Sequence, residues 1–240
     1  MAQLFGHGMT DADGRATLPP VVQEHLGKHL RAAYDAISPA EVPDRFAELI
    51  ARLEQALTAK GEVVADDFRD GLLGALPSLR SFGLSLTYSA TRADDLVQET
   101  ILRAWQNRHR FQPGTNLHAW LFTILRNLFY SEQRKRTREV PDEDGSNAAR
   151  LATPPSQGHR LDVEDLKSGL AKLPADQREA LILIGAEGLS YEEAAKICGV
   201  AVGTIKSRVN RARNKLVQIL GYGDGDLASD RFMQSAMNER

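Results

Sequence analysis

One cysteine, Cys198, stands in 240 residues, so no intramolecular disulfide can brace the chain, and a reducing compartment suits it. The residue itself reads as a small apolar turn position. No apolar run approaches the roughly 20 residues that cross a bilayer as a helix, and the first residues hold no apolar core of the signal-peptide kind. The reading is a cytoplasmic protein with no membrane partner. Charge of one sign is also missing: the net is only −2, so any affinity for nucleic acid must come from local clusters rather than from the overall field. Six histidines are scattered, none paired with a second His or Cys at ligand spacing, and no glycine loop could cradle a phosphate. Asp94 and Asp95 do not make a metal site either, because neighbouring side chains on a helix point about 100° apart. No catalytic constellation, metal or cofactor is expected; the chain does not read as an enzyme. Apolar residues still make up 42% of it, enough for real cores.

What is there is helical throughout, and the fold class reads as all-α. The stretch Leu189 to Leu216 reads as helix, tight turn, helix. Ser190 with Glu193 three residues on is a capping box. Cys198-Gly199-Val200 supplies the break, with glycine where a left-handed residue is easiest to place. Ala194 and Ala195 let two helices cross closely. In the second helix Val202, Ile205, Val209, Ala212 and Leu216 recur as one buried stripe. The opposite face carries Gly203, Ser207, Asn210 and Arg211, flanked by Thr204, Lys206 and Arg208. From Lys196 to Gln218 there are basic side chains and no acidic ones. Such a helix can lie in the major groove and reach base edges and phosphates; the plain alternative is a solvated surface helix.

In chain order, residues 1–20 are polar and aperiodic and read as a mobile tail. In residues 21–57, Leu26, Leu30, Tyr34 and Ile37 line one helix, and Phe46, Leu49, Ile50 and Leu53 line another. Pro39 and Pro43 separate them, with Asp44 placed to cap the second. Two short helices cannot bury this much apolar surface against each other. They either need a partner surface or open a larger helical domain, and pattern alone leaves both open. Residues 58–66 read as a linker that spans roughly 17 Å as a random coil. Residues 67–138 are helical, with a new helix expected to open at Pro77. Asp94, Asp95, Gln98 and Glu99 are expected to form an acidic edge, while Val97, Ile101, Ala104 and Trp105 face inward. Asn116, after the Pro113-Gly114 turn, can cap a helix that runs into Arg134-Lys135-Arg136-Thr137-Arg138. Phe111, Trp120, Phe129 and Tyr130 alternate with Gln112, Asn116, Asn127 and Arg126. Rings to stack on, amides to read edges and cations for phosphates suit a single-strand or flipped-base site, although the same rings could be core. Residues 139–160 are rich in Pro, Gly, Ser and acids and read as an interdomain linker. Residues 161–220 form a compact helical domain entered at Leu173-Pro174, and 221–240 read as a second disordered tail.

Two motifs in order carry a resemblance. DDLVQETILRAW followed by FQPGTNLHAWLFTILRNLF resembles region 2 of extracytoplasmic-function (ECF) sigma factors, and LPADQREALILIGAEGLSYEEAAKICGVAVGTIKSRVNRAR resembles their region 4. In detail residues 68–220 are similar to the EcfG general-stress subgroup. Residues 26–57, LGKHLRAAYDAISPAEVPDRFAELIARLEQAL, resemble the two-helix core of the anti-sigma factor NepR, which resolves the open question about those helices in favour of an inhibitor.

The resemblance implies roles. Asp94, Asp95, Gln98 and Glu99 would dock on the clamp helices of the beta-prime subunit of core RNA polymerase. In promoter DNA, the minus-10 element would be opened and read by Phe111, Asn116, Trp120, Arg126 and Asn127, with Arg134, Lys135 and Arg136 on phosphates. A GGAAC-like minus-35 element would be read by Thr204, Lys206, Ser207, Arg208, Asn210 and Arg211. Leu26, Leu30, Tyr34, Ile37, Phe46, Leu49, Ile50 and Leu53 would make the intramolecular anti-sigma contact, and phosphorylated PhyR would draw that segment off. Fusion replaces a bimolecular encounter by an effective concentration in the millimolar range, so the chain is expected to silence itself, in cis or, if the linker is too short, in trans as a dimer. The alternative is a PhyR-like sigma mimic that sequesters anti-sigma factor without binding DNA. A mimic would carry an α/β receiver domain, for which the chain shows no room, and would not need the basic face at Lys206 and Arg211.

Overall fold

The computed structural model describes residues 27, 28, 30–32, 34, 43–59, 66–139 and 163–220. Leu26, Ile37, both expected tails and most of both expected linkers lie outside the described residues. The helical positions among 27–34 are designated α1. There follow α2 (Asp44–Thr58), α3 (Asp66–Thr87), α4 (Ala90–Gln106), a 3-10 turn (Arg108–Arg110), α5 (Leu117–Glu139), α6 (Val163–Ala171), α7 (Ala175–Gly185), α8 (Tyr191–Cys198) and α9 (Val202–Ile219). No strand occurs among the described residues, as the all-α reading requires.

Helices α3, α4 and α5 pack on one another, and so do α7, α8 and α9 with α6 against α9. The first bundle is built on the stripe Leu72, Ala75, Leu76, Leu79, Phe82 and Leu86 of α3, which meets Val97, Ile101 and Ala104 of α4 and Leu121, Leu125 and Leu128 of α5. The expectation that a new helix opens at Pro77 fails. Helix α3 continues through that residue, because a break would throw Leu79, Phe82 and Leu86 out of register with Leu72 and Leu76. The missing N–H costs about 3 kcal/mol, and Pro77 lies on the exposed side, where water can serve the freed carbonyl. Each large apolar side chain kept buried returns about 1.5–3 kcal/mol. Asp44 differs by one position from the expected cap: it is the first residue of α2, its carboxylate in the first turn.

The helix-turn-helix forms as the pattern predicts. The Ser190 hydroxyl accepts from Glu193 N–H at 3.1 Å while Ser190 N–H donates to the Glu193 carboxylate at 3.0 Å. Gly199 sits at φ 65°, ψ 36°, a left-handed cap that a side chain would strain. Ile205, Val209, Ala212 and Leu216 are buried, with Val202 at the rim.

The two bundles touch directly, α5 against α8 and α3 against α7. Helix α2 lies on α3 and α4, while Leu30 of α1 reaches α7. A Cβ built on Gly185 would come within 2.4 Å of the Leu30 side chain, so the glycine makes the space that Leu30 fills.

Candidate nucleic-acid interface

Helix α9 presents its basic face as expected. Lys206 and Arg211 are exposed, and Thr204, Ser207 and Asn210 are half-buried beside them. The Lys206 ammonium lies 5.8 Å from the centre of the Tyr191 ring, and the Ser207 hydroxyl donates to the Thr204 carbonyl at 2.9 Å. Arg208 departs from the expectation. Its guanidinium turns back to Asp176 of α7 at 3.2 Å and is only 19% exposed, so it ties α9 to α7 instead of facing outward.

On α5 the aromatic question resolves toward packing. Phe111 and Trp120 meet at 5.5 Å between ring centres, and both lie against Phe68, at 6.0 and 6.4 Å. This satellite cluster, with Trp105 on its other side, leaves both rings half-buried. Asn116 caps α5: its side-chain oxygen accepts from Ala119 N–H at 3.1 Å. Its amide nitrogen donates to the Glu193 carboxylate at 2.8 Å, across the boundary to α8. Asn127 is exposed, as are Arg134, Lys135 and Arg136 in the last turns of the helix.

Arg126 is not on an open surface. Its guanidinium donates to Glu179 of α7, whose side chain is fully buried. The Tyr130 hydroxyl donates to the other oxygen of Glu179 at 2.9 Å, and the Arg126 guanidinium stands 4.6 Å from the Tyr130 ring centre. Burial pushes the Glu179 carboxyl above the usual carboxylate range, and Arg126 and Tyr130 pull against that. Burial works against the charge on Arg126, but Glu179, helped by Cys198 and Tyr130, more than offsets it and raises its hold on the proton. Cys198 lies beside this cluster, its thiol pushed up to about 12 by burial and then by Glu179. It is a buried, inert thiol, in keeping with a small apolar turn residue.

The expected acidic edge on α4 is partly internal. Asp95 and Gln98 are exposed and Glu99 half-exposed, with Glu99 paired to Arg103 at 2.7 Å. Asp94 is buried and holds Arg80 of α3 at 2.7 Å. A buried arginine without a counter-ion is strongly destabilising, and Asp94 is turned inward to meet it. Its second oxygen takes Arg45 of α2.

Helices α1 and α2 lie against residues of both bundles. Leu30, Tyr34, Phe46 and Ile50 are all buried, and Leu49 and Leu53 pack at the edge of the same core. The Tyr34 hydroxyl donates to the Ser78 carbonyl of α3 at 3.2 Å and to the carboxylate of Glu187, just past α7. Arg69 of α3 reaches Glu54 of α2 at 3.4 Å.

Comparison with known proteins assigns each segment. Residues 70–139 match the family "Sigma-70 region 2", residues 164–216 "Sigma-70, region 4", and residues 23–56 "Anti-sigma factor NepR". Over 162 residues, 68% of this chain and 89% of the relative, the sequence is 63% identical to the ECF RNA polymerase sigma factor EcfG of Rhodopseudomonas palustris (strain TIE-1). The chain belongs to the EcfG-type ECF sigma factors. It is 33% identical to the ECF sigma factor SigM of Bacillus subtilis (strain 168) over 149 residues, 60% of this chain and 90% of that protein. A co-crystal structure of the sigma factor RpoE in complex with the anti-sigma factor NepR from Bartonella quintana matches with TM-score 0.57 and 55% identity, covering 65% of this chain and 98% of that one. This EcfG-type chain therefore carries a NepR segment ahead of sigma regions 2 and 4, and the match favours a sigma factor over a sequestering mimic. No helix among the described residues is long and apolar enough to cross a membrane.

Several residues escaped the sequence reading: Arg45, Arg80, Glu179, Gly185 and Phe68. Only Glu179 left a local trace. It is an acid set directly before the apolar run Ala180-Leu181-Ile182-Leu183, a position that buries it.

Proposed function

We propose that this chain is a self-inhibited sigma factor for core RNA polymerase and promoter DNA, in which α1 and α2 clamp regions 2 and 4 into a closed arrangement. One observation carries the reading: a single Tyr34 hydroxyl is shared between the Ser78 carbonyl of region 2 and the Glu187 carboxylate of region 4. A group that bonds to both modules at once resists their separation. Leu30 and Phe46, on either side of it, add apolar burial worth about 1.5–3 kcal/mol each. Helix α2 also occupies Asp94, the innermost residue of the edge assigned to the beta-prime clamp helices. Arg211 and Lys206 stay exposed, so inhibition acts through module spacing and region 2 rather than by covering the minus-35 reading face. Phosphorylated PhyR, as the resemblance implies, would compete for α1 and α2.

In-vitro transcription from a GGAAC-type promoter tests this. The full chain should give little transcript with core polymerase, and a version beginning at Asp67 should give much more; equal activity rejects the proposal. Sedimentation separates the routes, a monomer meaning contact in cis and a dimer contact in trans.

A further inference from the structure

We propose that Glu179 acts as an internal stand-in for promoter DNA, a latch by which region 4 occupies the minus-10 groups of region 2 independently of the NepR segment. The inference rests on the assignment of Arg126 and Asn116 to the minus-10 element. Both oxygens of Glu179 are taken by α5 donors, Arg126 on one and the Tyr130 hydroxyl on the other at 2.9 Å. A carboxylate on a guanidinium is the same charge-assisted pairing that a DNA phosphate would make. The second contact repeats the chemistry. Glu193 accepts from the Asn116 amide at 2.8 Å, as a base-edge acceptor would. A third contact closes the opposite side: Arg178 of α7 stacks 4.6 Å from the centre of the Tyr88 ring, in the turn between α3 and α4.

None of these three contacts involves α1 or α2. Drawing off the NepR segment would therefore leave regions 2 and 4 still paired, and DNA must displace Glu179 from Arg126 before the minus-10 element can be engaged. Opening takes Arg126 and Tyr130 from Glu179 but returns a buried carboxylate to water, which offsets part of that loss. The latch is thus suited to be broken by a competing polyanion and to hold in its absence.

The test uses the full chain with fluorescent dyes on cysteines introduced at Gln106 and Gln218, both exposed ends of helices in different modules; buried Cys198 stays unlabelled. Tyr34→Phe weakens the NepR clamp, and Glu179→Ala removes both acceptor oxygens and leaves Arg126 and Tyr130 without them. Tyr34→Phe alone should retain most of the energy transfer, and Tyr34→Phe with Glu179→Ala should lose it, with helical content unchanged. The double variant should also bind a labelled single strand carrying the promoter's minus-10 sequence about tenfold more tightly, the scale of one charge-assisted bond. The latch is overturned if Tyr34→Phe opens the chain as fully as the double variant, or if the double variant stays closed. Adding Arg126→Gln separates the underlying assignment: if the opened chain binds the strand equally well without Arg126, the minus-10 role of Arg126 fails while the latch stands.

Discussion

Arg45 and Asp94 meet across the boundary between the NepR segment and region 2, on a carboxylate that Arg80 already holds from within at 2.7 Å. The two arginines are not equivalent. Arg80 is buried and has Asp94 as its counter-ion, whereas the Arg45 side chain is 56% exposed. Arg45→Ala should therefore weaken the inhibitory contact by only about 0.5–1 kcal/mol, as for other solvent-exposed pairs. Phe46→Ala, one residue on and fully buried, should cost about 3–5 kcal/mol. Basal transcription by the full chain reads the difference, with a small leak from the first variant and a much larger one from the second. Comparable leaks would mean that charge, not burial, holds α2 in place.

Gly185→Ala separates inhibition from folding. Alanine is the better helix former by about 1 kcal/mol, so α7 itself should not suffer. The added methyl, however, enters the space that the Leu30 side chain fills, 2.4 Å from its nearest carbon. Leu30 must withdraw, and α1 should loosen on region 4. The expected result is raised basal transcription with an unchanged melting temperature for region 4 and unchanged binding to a minus-35 duplex. Unchanged repression would show that Leu30 can find another seat.

Local features of the fold were legible because their causes are local. The Ser190–Glu193 box, the Gly199 cap, the Asn116 cap and the buried stripe of α9 each depend on residues within one or two turns, where spacing suffices. What was illegible depends on partners far along the chain. Asp94 reads as part of an exposed acidic edge until Arg80, on another helix, claims it. Arg126 reads as an open, unpaired cation until Glu179, 53 positions away, is folded onto it. Pro77 reads as a break because a penalty for one residue is visible locally, while the register of a long buried stripe is a property of the whole bundle. Phe111 and Trp120 could not be placed because ring chemistry is the same in a core and in a stacking site.

Acid should weaken the Asn116–Glu193 bond between α5 and α8. The Glu193 carboxyl is held below the ordinary carboxylate range, first by the Ser190 N–H and then by the Asn116 amide. A carboxylate whose folded pKa is depressed contributes stability that is fully present above its unfolded value and is lost as pH falls through the lowered folded value. Glu179 has the opposite sign. Its pKa is raised by burial, so its ionisation weighs against the closed state as pH rises from its unfolded value toward its raised folded one. Glu193 is only half-buried at the surface, so its share is small and reduced further by screening. Carbon-detected NMR titration of the two carboxyls should find Glu193 titrating on the acid side of free glutamate and Glu179 on the basic side. A single shared midpoint would contradict both assignments.

The two arginines on either side of Asn210 should respond differently to truncation, although both lie on the helix assigned to the minus-35 element. Arg211 is exposed on the outer face, and Arg211→Ala should lower affinity for the cognate duplex by about 1–3 kcal/mol if its guanidinium meets a base edge. Equal weakening on a scrambled minus-35 duplex would make it a phosphate contact instead. Arg208 faces Asp176 at 3.2 Å, so Arg208→Ala should remove a tie between α9 and α7 and lower the melting temperature of region 4. Since a half-exposed pair contributes at most about 1 kcal/mol, that drop should be small, and the ratio of cognate to scrambled binding should stay unchanged. A loss of that ratio on Arg208→Ala would mean that the guanidinium leaves Asp176 when DNA arrives, making the ion pair a parking place for a reading group rather than part of the scaffold.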